Sequence, residues 1–459
     1  MNKTITLIFS MFLALALELY AQASPDAQTQ ALTGNWEYAL SVRVRPEMRL
    51  YEGFQREISN EFVGQRTWIS IGHRFSDRSR IFATLQDSRI WGGNSNGLSA
   101  IDTGTDFVVT DKQGIDRKIQ ESATDIREAF FYIEDFLFPS LSLKLGRQKI
   151  ILGDQRLVGH LDWLNTGRSF DAFLLRQAGG IHEIQLFGSI VREGNPSEPN
   201  QILRNNRSAF DNRQKDTYFG GIYETLNFQI LLVDIYGFSR VDYETNELHT
   251  FGLRLTNRTQ KNKLPEGQNF DWSIESAYQT GLRGERRIAA YAFGLIAGYR
   301  FQLGLPVRFG ISLDHASGDR DPTDNKHETF DNLYHTNHIF YGNADQISWQ
   351  NMSGASADVT FWPIKGMWLK IAYWYFQRAS GRDAFYAIHG GPTPYANGSE
   401  KLPLFHELDI YLNYQAREYL NFEIGYSYLY RTGALRDPNL VKPTDADMQF
   451  FYLMSTFSI

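Results

Sequence analysis

The sequence contains no cysteine. This absence excludes disulfide frameworks, thiolate metal sites and cysteine nucleophiles. Basic residues are not in excess either: 46 Lys and Arg stand against 52 Asp and Glu, which gives a formal net charge of -6. Proteins that bind nucleic acids normally present a clearly basic surface, so a nucleic-acid partner is not expected. The chain also carries no P-loop and no His-Glu-x-x-His motif, so it offers no template for a nucleotide-dependent enzyme or a zinc protease.

Long apolar runs are almost absent. The run near the start, residues 5–17, follows Lys3 and precedes an Ala-Gln-Ala cleavage site at 21–23. We therefore expect a signal peptide over residues 1–23. A retained anchor helix is the alternative, but the run is shorter than the ~20 residues that span a bilayer. After Ser24 no stretch reaches the length of a membrane helix, so any crossing of a membrane must use strands.

Aromatic residues are abundant and recur in alternating patterns. Phe, Trp and Tyr make up 14% of the chain, and such residues form the interface girdles of membrane barrels. From Trp36 to Val44 every second residue is apolar, whereas Arg43 and Arg45 fall in the other phase. Because successive side chains of a strand point to opposite faces, this alternation predicts one face in lipid and one in water.

The spacing of the alternating segments predicts the architecture. Short gaps such as 76–79 and 363–366 alternate with long polar ones such as 92–124 and 316–352. Short periplasmic turns opposite long extracellular loops are typical of outer-membrane barrels, whereas the alternative, a soluble β-sandwich or multi-domain β protein, has no such requirement. We therefore expect an all-β fold, a transmembrane antiparallel β-barrel of about 18 strands. The barrel is expected over 35–459, after a periplasmic segment at 24–34, with strands at 35–50, 61–75, 80–91, 125–135, 141–150, 169–177, 181–191, 217–226, 228–240, 248–259, 269–281, 287–302, 306–315, 353–363, 367–379, 404–416, 420–432 and 447–459.

The chain ends in an amphipathic strand from Phe450 to Ile459. This strand resembles the terminal strands that barrel-assembly machinery reads, so we expect that machinery and outer-membrane lipid as partners. An even number of strands places both termini on the periplasmic side, and the expected location is the outer membrane of a Gram-negative cell.

Selectivity in a wide barrel depends on the side chains that face the lumen. Basic residues in the lumen phase would attract anions; ordinary solvated charges on a polar wall are the alternative. Basic residues weight the first part of the chain and acidic ones the last, which would give facing walls opposite signs. The basic candidates are Arg43, Arg45, Arg66, Lys144, Arg254, Arg258, Arg300, Arg308 and Lys370, and the acidic ones are Glu128, Glu183, Asp234, Glu275, Asp314, Asp358, Glu407, Asp409 and Glu423.

A segment dense in arginine and glycine, residues 145–171, is expected to form a strand, a loop and a returning strand. A loop that folded into the pore would bring its arginines together, and its aspartates would hold the guanidinium planes. This predicts an anion-binding constriction; an Arg–Asp network that only braces the wall is the alternative. The arginines are Arg147, Arg156 and Arg168, and the aspartates are Asp154 and Asp171.

Metal ligands are scarce. Asp319, Asp321 and Asp324 are spaced as in a calcium loop, but the glycine at the sixth position and the glutamate at the twelfth are missing. A plain polar external loop is the favoured interpretation, and we expect no cofactor. A second group lacks the spacing of a zinc site; it comprises Asp331, His335, His338 and Asp345.

Specific motifs run through the centre of the chain. They are Gly146-Arg147-Gln148, Gly153-Asp154, Arg156-Leu157-Val158-Gly159, Trp163, Asn165 and Arg168-Ser169-Phe170-Asp171, then Gly318-Asp319, Thr329-Phe330-Asp331, Leu333-Tyr334, His338, Tyr341-Gly342 and Asp345, with the earlier Arg66 and Gln86-Asp87-Ser88-Arg89. These motifs resemble the alginate-export family of outer-membrane porins, over nearly the whole mature chain. The resemblance implies a monomeric barrel whose arginine-lined pore, with Arg89 among its lining residues, passes an anionic polysaccharide or another anionic solute.

Together these observations predict a passive outer-membrane channel for anionic solutes, not an enzyme. The closest alternative is a general or substrate-specific porin for small nutrients. A barrel enzyme would need a Ser/His or Asp/His set, and the nearest candidates, Asp314, His315 and Ser317, have no recognisable spacing. A receptor or adhesin barrel, whose long loops bind a partner, is a further alternative.

Overall fold

A computed structural model of the protein describes residues 35–92, 107–110, 116–119, 123–192, 216–242, 246–258, 269–388 and 390–459. The expected signal peptide and the segment 24–34 lie outside these residues. Eighteen long strands form one antiparallel sheet, and they confirm the strands expected from the alternation. Their bounds are β1 Trp36–Leu50, β2 Ser59–Ser76, β3 Ser79–Gly92, β4 Ala123–Ile133, β5 Leu141–Gln148, β6 Phe170–Gly179, β7 His182–Arg192, β8 Asp216–Asn227, β9 Leu232–Asp242, β10 Asn246–Thr256, β11 Phe270–Arg283, β12 Arg286–Leu303, β13 Leu305–Ala316, β14 Met352–Phe361, β15 Met367–Gln377, β16 Pro403–Arg417, β17 Leu420–Arg431 and β18 Met448–Ser458.

The sheet closes on itself. β1 pairs with β2 on one side and with β18 on the other, where Ser41 lies opposite Ser458. Each of the eighteen strands therefore has two neighbours, and the sheet has no open edge on which another chain could pair. Among the described residues no helix has the length and apolar character to cross a membrane.

The two ends of the barrel differ in their connections. Turns of a few residues, such as 77–78, 180–181 and 418–419, join strands at the end that carries both termini of the sheet. The long connections, such as 149–169 and 317–351, leave from the opposite end. This asymmetry is the expected one for a barrel whose long loops face the exterior.

The two faces of the wall differ in composition. Trp36 and Tyr38 are 48% and 58% exposed on the outside, whereas Arg43 and Arg45 of the same strand point inward and are each 5% exposed. The same alternation recurs on β13, where Phe309 is exposed outside. An apolar outer belt with polar inward positions is the pattern of a membrane barrel.

Three connections from the long-loop end fold into the lumen. They are the first inner loop (149–169), the second inner loop (317–351) and the third inner loop (378–402). Their apolar residues pack in one buried cluster with inward aromatic side chains of the wall. Examples from the loops are Leu157, Phe330 and Phe385, and examples from the wall are Phe219, Tyr236 and Phe405.

Candidate functional site

The first inner loop is held by arginines of the barrel wall through its main-chain carbonyls. Arg43 on β1 donates hydrogen bonds to the carbonyl oxygens of Asp162, at 2.8 Å, and Leu164, at 2.6 Å. Arg66 on β2 donates to the same two carbonyls, at 2.9 and 3.2 Å, and to Oδ1 of Asp162 at 3.1 Å. Two expected pore residues therefore meet at the tip of one loop.

Two further arginines extend this contact. Arg45 donates to the carbonyl of Trp163 at 2.6 Å, and its guanidinium lies 4.0 Å from the centre of the indole ring. Arg127 on β4 donates to the carbonyl of His160 at 3.0 Å. A carbonyl satisfies the donor but carries no net charge, so the contact with the loop does not cancel the positive charge of Arg127. Arg45 also pairs with the carboxylate of Glu47, at 2.6 Å.

The pKa of the Asp162 carboxyl reflects this positive charge. Burial alone would raise its pKa, but Arg66, His160 and Arg43 lower the pKa below its ordinary value. Its side chain remains 42% exposed. The region around the loop tip is therefore electropositive and in contact with solvent.

The second inner loop is held by carboxylates. Glu407 on β16 accepts the backbone N–H of Ala344 at 2.8 Å, and Asp409 accepts that of Asn343 at 3.2 Å. The preceding residue, Gly342, has a φ of 80°, and a side chain there would collide with the Glu407 carboxylate. Basic wall residues thus hold carbonyls of the first inner loop, and acidic wall residues hold N–H groups of the second.

The two loops also bind each other. The N–H of Tyr334 donates to the carbonyl of Leu157, and the carbonyl of Tyr334 accepts the N–H of Gly159, both at 2.9 Å. Arg168 donates to the carbonyl of His335 at 2.9 Å. These hydrogen bonds join the loops into one unit across the lumen, which narrows the passage.

Arg156 fastens this unit to a third part of the wall. The guanidinium is 2% exposed and lies 2.5 Å from Oδ1 of Asp314 on β13 and 3.5 Å from Oε2 of Glu275 on β11. It also donates to the hydroxyl of Tyr341 at 2.8 Å. In an eighteen-strand ring β11 and β13 lie nine strands from β2 and β4, so the loops bridge opposite walls of different charge.

Other expected lumen residues lie on the inner wall and are paired. Arg254 lies 2.5 Å from Asp234, and Arg308 lies 2.7 Å from Asp271. The remaining contacts are Lys144 with Glu128 at 3.8 Å, Lys370 with Asp358 at 3.9 Å, Arg258 with Asp271 at 2.5 Å, and Arg300 at 4.6 Å from the Trp362 ring. Most of these cations are thus neutralised by carboxylates. Asp234, Glu128 and Asp358 are among the acidic residues expected in the lumen, whereas Asp271 is not.

Three expected site residues lie elsewhere. Arg147 shares the phase of the exposed Leu145, because β5 continues to Gln148, and pairs with Asp171 on the outer face, at 2.8 Å. Arg89 also lies on the outer face, in phase with exposed Leu85 and Trp91, and pairs with Asp87 of its own strand.

Asp154 does not brace the expected arginine group. Its carboxylate accepts the backbone N–H of Arg156 at 3.3 Å. Arg147, Arg156 and Arg168 do not converge, because Arg147 points outward and the other two reach different partners. These three arginines therefore do not form the expected anion-binding group.

The residues considered for a metal site and for an Asp/His/Ser site are not assembled in the described part of the chain. Asp319 pairs with Arg286 at 2.6 Å, and in the described part of the chain no group of three His, Asp or Glu residues is arranged to hold a metal ion. His315 points outward to Ser353, at 2.8 Å, whereas Asp314 points inward. The structure therefore does not bring Asp314 and His315 together, whereas His338 of the second group pairs with Asp345 at 3.0 Å.

Sequence reasoning missed three residues that shape the lumen. Arg127 is buried where the register of β3 and β4 shifts, which alternation does not anticipate. Arg378 donates to the carbonyls of Ser399 and Lys401, both at 2.6 Å, and so holds the third inner loop. Asn165 was noted within a motif, and its amide donates to the wall carbonyls of Gln65 and Arg89, both at 3.0 Å.

Comparisons with known proteins agree with this geometry. The family model described as alginate export matches residues 36–439. No curated protein was found that matches the sequence.

Several solved structures from Pseudomonas aeruginosa share the fold. OccK2 (OpdF) in complex with glucuronate has a TM-score of 0.58 at 10% identity and covers 93% of this chain and 98% of its own. The outer membrane protein OprD has a TM-score of 0.57 at 11% identity, covering 93% and 94%. OpdK with vanillate has a TM-score of 0.56 at 12% identity, covering 92% and 98%. At these identities the likeness concerns the fold.

Proposed function

This chain belongs to the alginate export family and is an outer-membrane porin, and from that premise we propose that it is a passive channel for anionic saccharides whose negative charge is a carboxylate. No covalent chemistry is involved. The solute crosses by diffusion, and the protein contributes the shape and charge of the path.

One observation carries this proposal: the guanidinium groups at the tip of the first inner loop are bonded to carbonyls. Arg43, Arg66 and Arg127 converge there, and the nearest carboxylate that they share is that of Asp162. Their positive charge exceeds the negative charge of Asp162 beside the loop tip. In a narrow, low-dielectric neck this excess lowers the free energy of an entering anion.

The ligands of two structural neighbours carry the same charged group. OccK2 (OpdF) is in complex with glucuronate, a sugar acid, and OpdK is with vanillate, an aromatic acid. Carboxylates suit arginine because two parallel N–H groups bind both oxygens. Such contacts exchange readily between neighbouring donors, which permits movement along the path.

Ion selectivity in planar bilayers tests the proposal. We expect the reversal potential under a potassium chloride gradient to report anion selectivity, and Arg66→Gln to reduce it. The matched control is Arg147→Ala, which removes a charge from the outer face and should leave the potential unchanged. A cation-selective or unselective wild-type channel would contradict the proposal.

The second candidate function is passage of small nutrient anions only. It is favoured by the three inner loops, whose apolar residues pack against inward side chains of the wall and so occupy part of the lumen. Uronate oligomers of increasing length separate the two functions. Blocks of the current that lengthen with the oligomer indicate threading of a polysaccharide, and blocks by the monomer alone indicate a small-solute porin.

A further inference from the structure

A cavity of about 360 Å³ remains beside the electropositive loop tip. Its floor is the inner wall of β1 and β2. All three inner loops line it, together with the connections 51–58 and 432–447. Its volume lies near the lower end of ligand pockets, about 300–1,000 Å³, so it fits a small ligand.

The cavity has a positive side. Arg45 and Arg49 share the carboxylate of Glu47, at 2.6 and 3.2 Å, so it does not neutralise both guanidinium groups. The carboxylate of Asp345 also lines the cavity, and it is paired with His338 at 3.0 Å. Lys442 faces the same cavity, 5.0 Å from the centre of the Tyr395 ring, and makes no ion pair within the described part of the chain. A ligand carboxylate would find one free ammonium group and one partly compensated guanidinium there.

The lining also offers unsatisfied polar atoms. Oε2 of Glu52 and Oγ1 of Thr393 are buried and have no hydrogen-bond partner among the described residues. Buried polar atoms of this kind normally have a partner, so a ligand that supplies hydroxyl groups is favoured. Tyr395 adds aromatic surface, on which a sugar ring can pack. The indole of Trp163 also lines the cavity, but His338 stacks on it at 3.6 Å and Arg45 lies over it at 4.0 Å.

We infer that this cavity is a saturable binding site for a sugar acid, with Lys442 and Arg49 on its carboxylate and Glu52 and Thr393 on its hydroxyl groups. This inference rests on the proposed function and names a stopping point on the path. Burial raises the pKa of Glu52 to about 7, so near neutral pH its carboxyl repels an anion less than an ionised one would.

Current block of single channels by D-glucuronate tests the site. We expect the block to saturate with concentration, and glucose and benzoate to block at least about tenfold more weakly, because each lacks one of the two recognised groups. Lys442→Gln should weaken the block by a similar factor, about tenfold. The matched control is Lys365→Gln, on the exposed turn between β14 and β15.

The outcomes separate the site from the function. Unchanged open-channel conductance shows that a variant is folded. A block that does not saturate, that benzoate reproduces, or that persists at full strength in Lys442→Gln overturns the site even where anion selectivity is intact. Loss of binding in Thr393→Val with selectivity retained supports it. An unselective wild-type channel overturns the proposed function instead.

Discussion

Arginine side chains inside the barrel have two kinds of partner. Arg254 and Arg308 lie against carboxylates, and these pairs neutralise their stretch of wall. Arg43 and Arg66 lie mainly against main-chain carbonyls, which satisfy the donors and leave the charge in place. Arginine charge is therefore neutralised in the first region and remains uncompensated in the second. Only arginines bonded to carbonyls can attract an anion into the lumen.

Arg156 allows a direct test at the residue scale. Arg156→Ala would leave Asp314 and Glu275 buried without their cation, which costs about 3–5 kcal/mol when one partner of a buried pair is removed. We expect a lower free energy of unfolding and a higher conductance, because the first inner loop loses its anchor. Arg320→Ala is the control: its side chain is 78% exposed and should change neither quantity. Equal effects of the two substitutions would contradict the anchoring role.

Glu52 predicts a dependence on pH. Burial raises its pKa from 4.5 to about 7, against the attraction of Arg49 and with the repulsion of Glu47. Tyr395 and Lys442, from other connections, line the same cavity. The Glu52 carboxyl stays protonated to a higher pH in the folded state than in the unfolded state. Its contribution to the free energy of unfolding, on the order of 3 kcal/mol, is therefore fully present below pH 4.5 and is lost as the pH rises through about 7.

Hydrogen exchange of the backbone amides at 51–58 measures this dependence. After correction for intrinsic exchange rates, we expect protection to fall between pH 5 and 8 in the wild type, spanning the upper part of the shift of Glu52. In Glu52→Gln the protection should stay level. A level profile in the wild type would show that the carboxyl ionises normally.

At the scale of the elements, the strands could be predicted from sequence and the inner loops could not. Alternation is local: the phase of β1 is set by residues two apart. The fold of a loop depends on distant partners, such as Arg43 with Leu164, 121 residues away. Arg147 illustrates the limit: it lies within the expected strand 141–150, whose alternation places it in the outer phase with Leu145, whereas the hypothesis of an inward loop directed it into the pore.

The second inner loop provides a prediction for an element. Gly342→Ala adds a Cβ that collides with the Glu407 carboxylate, so we expect Asn343 and Ala344 to lose their contacts and conductance to rise. Gly304→Ala is matched: Gly304 has a φ of 79° but open space around it. That control should cost only the backbone strain, about 1 kcal/mol. Similar conductance in both variants would show that the carboxylate clamp does not hold the loop in the lumen.

At the scale of the whole molecule, closure of the sheet into a barrel places charged residues from distant strands on facing walls. Arg66 on β2 and Glu275 on β11 lie nine strands apart in a ring of eighteen. The drift of charge along the sequence predicts walls of opposite sign, and the positions of Arg66 and Glu275 agree with it. The same wall is mixed further along its strands, where Arg308 on β13 pairs with Asp271 on β11. The joined first and second inner loops lie between the basic wall and the acidic wall, so a solute that passes beside the loops is exposed to both.

The same closure divides all exposed apolar residues into those in lipid and those in water, and two isoleucines test that division. Ile311 on β13 is 50% exposed on the outer wall, and Ile339 is 52% exposed on the second inner loop. Arginine on the lipid face near the midplane costs about 2–4 kcal/mol, because the bilayer core cannot solvate its charge. We therefore expect Ile311→Arg to lower the free energy of unfolding in lipid vesicles by about this amount, and Ile339→Arg to leave it nearly unchanged. In detergent, whose headgroups lie closer to the wall, the difference should shrink. Equal losses for both substitutions in vesicles would mean that the outer belt does not face acyl chains.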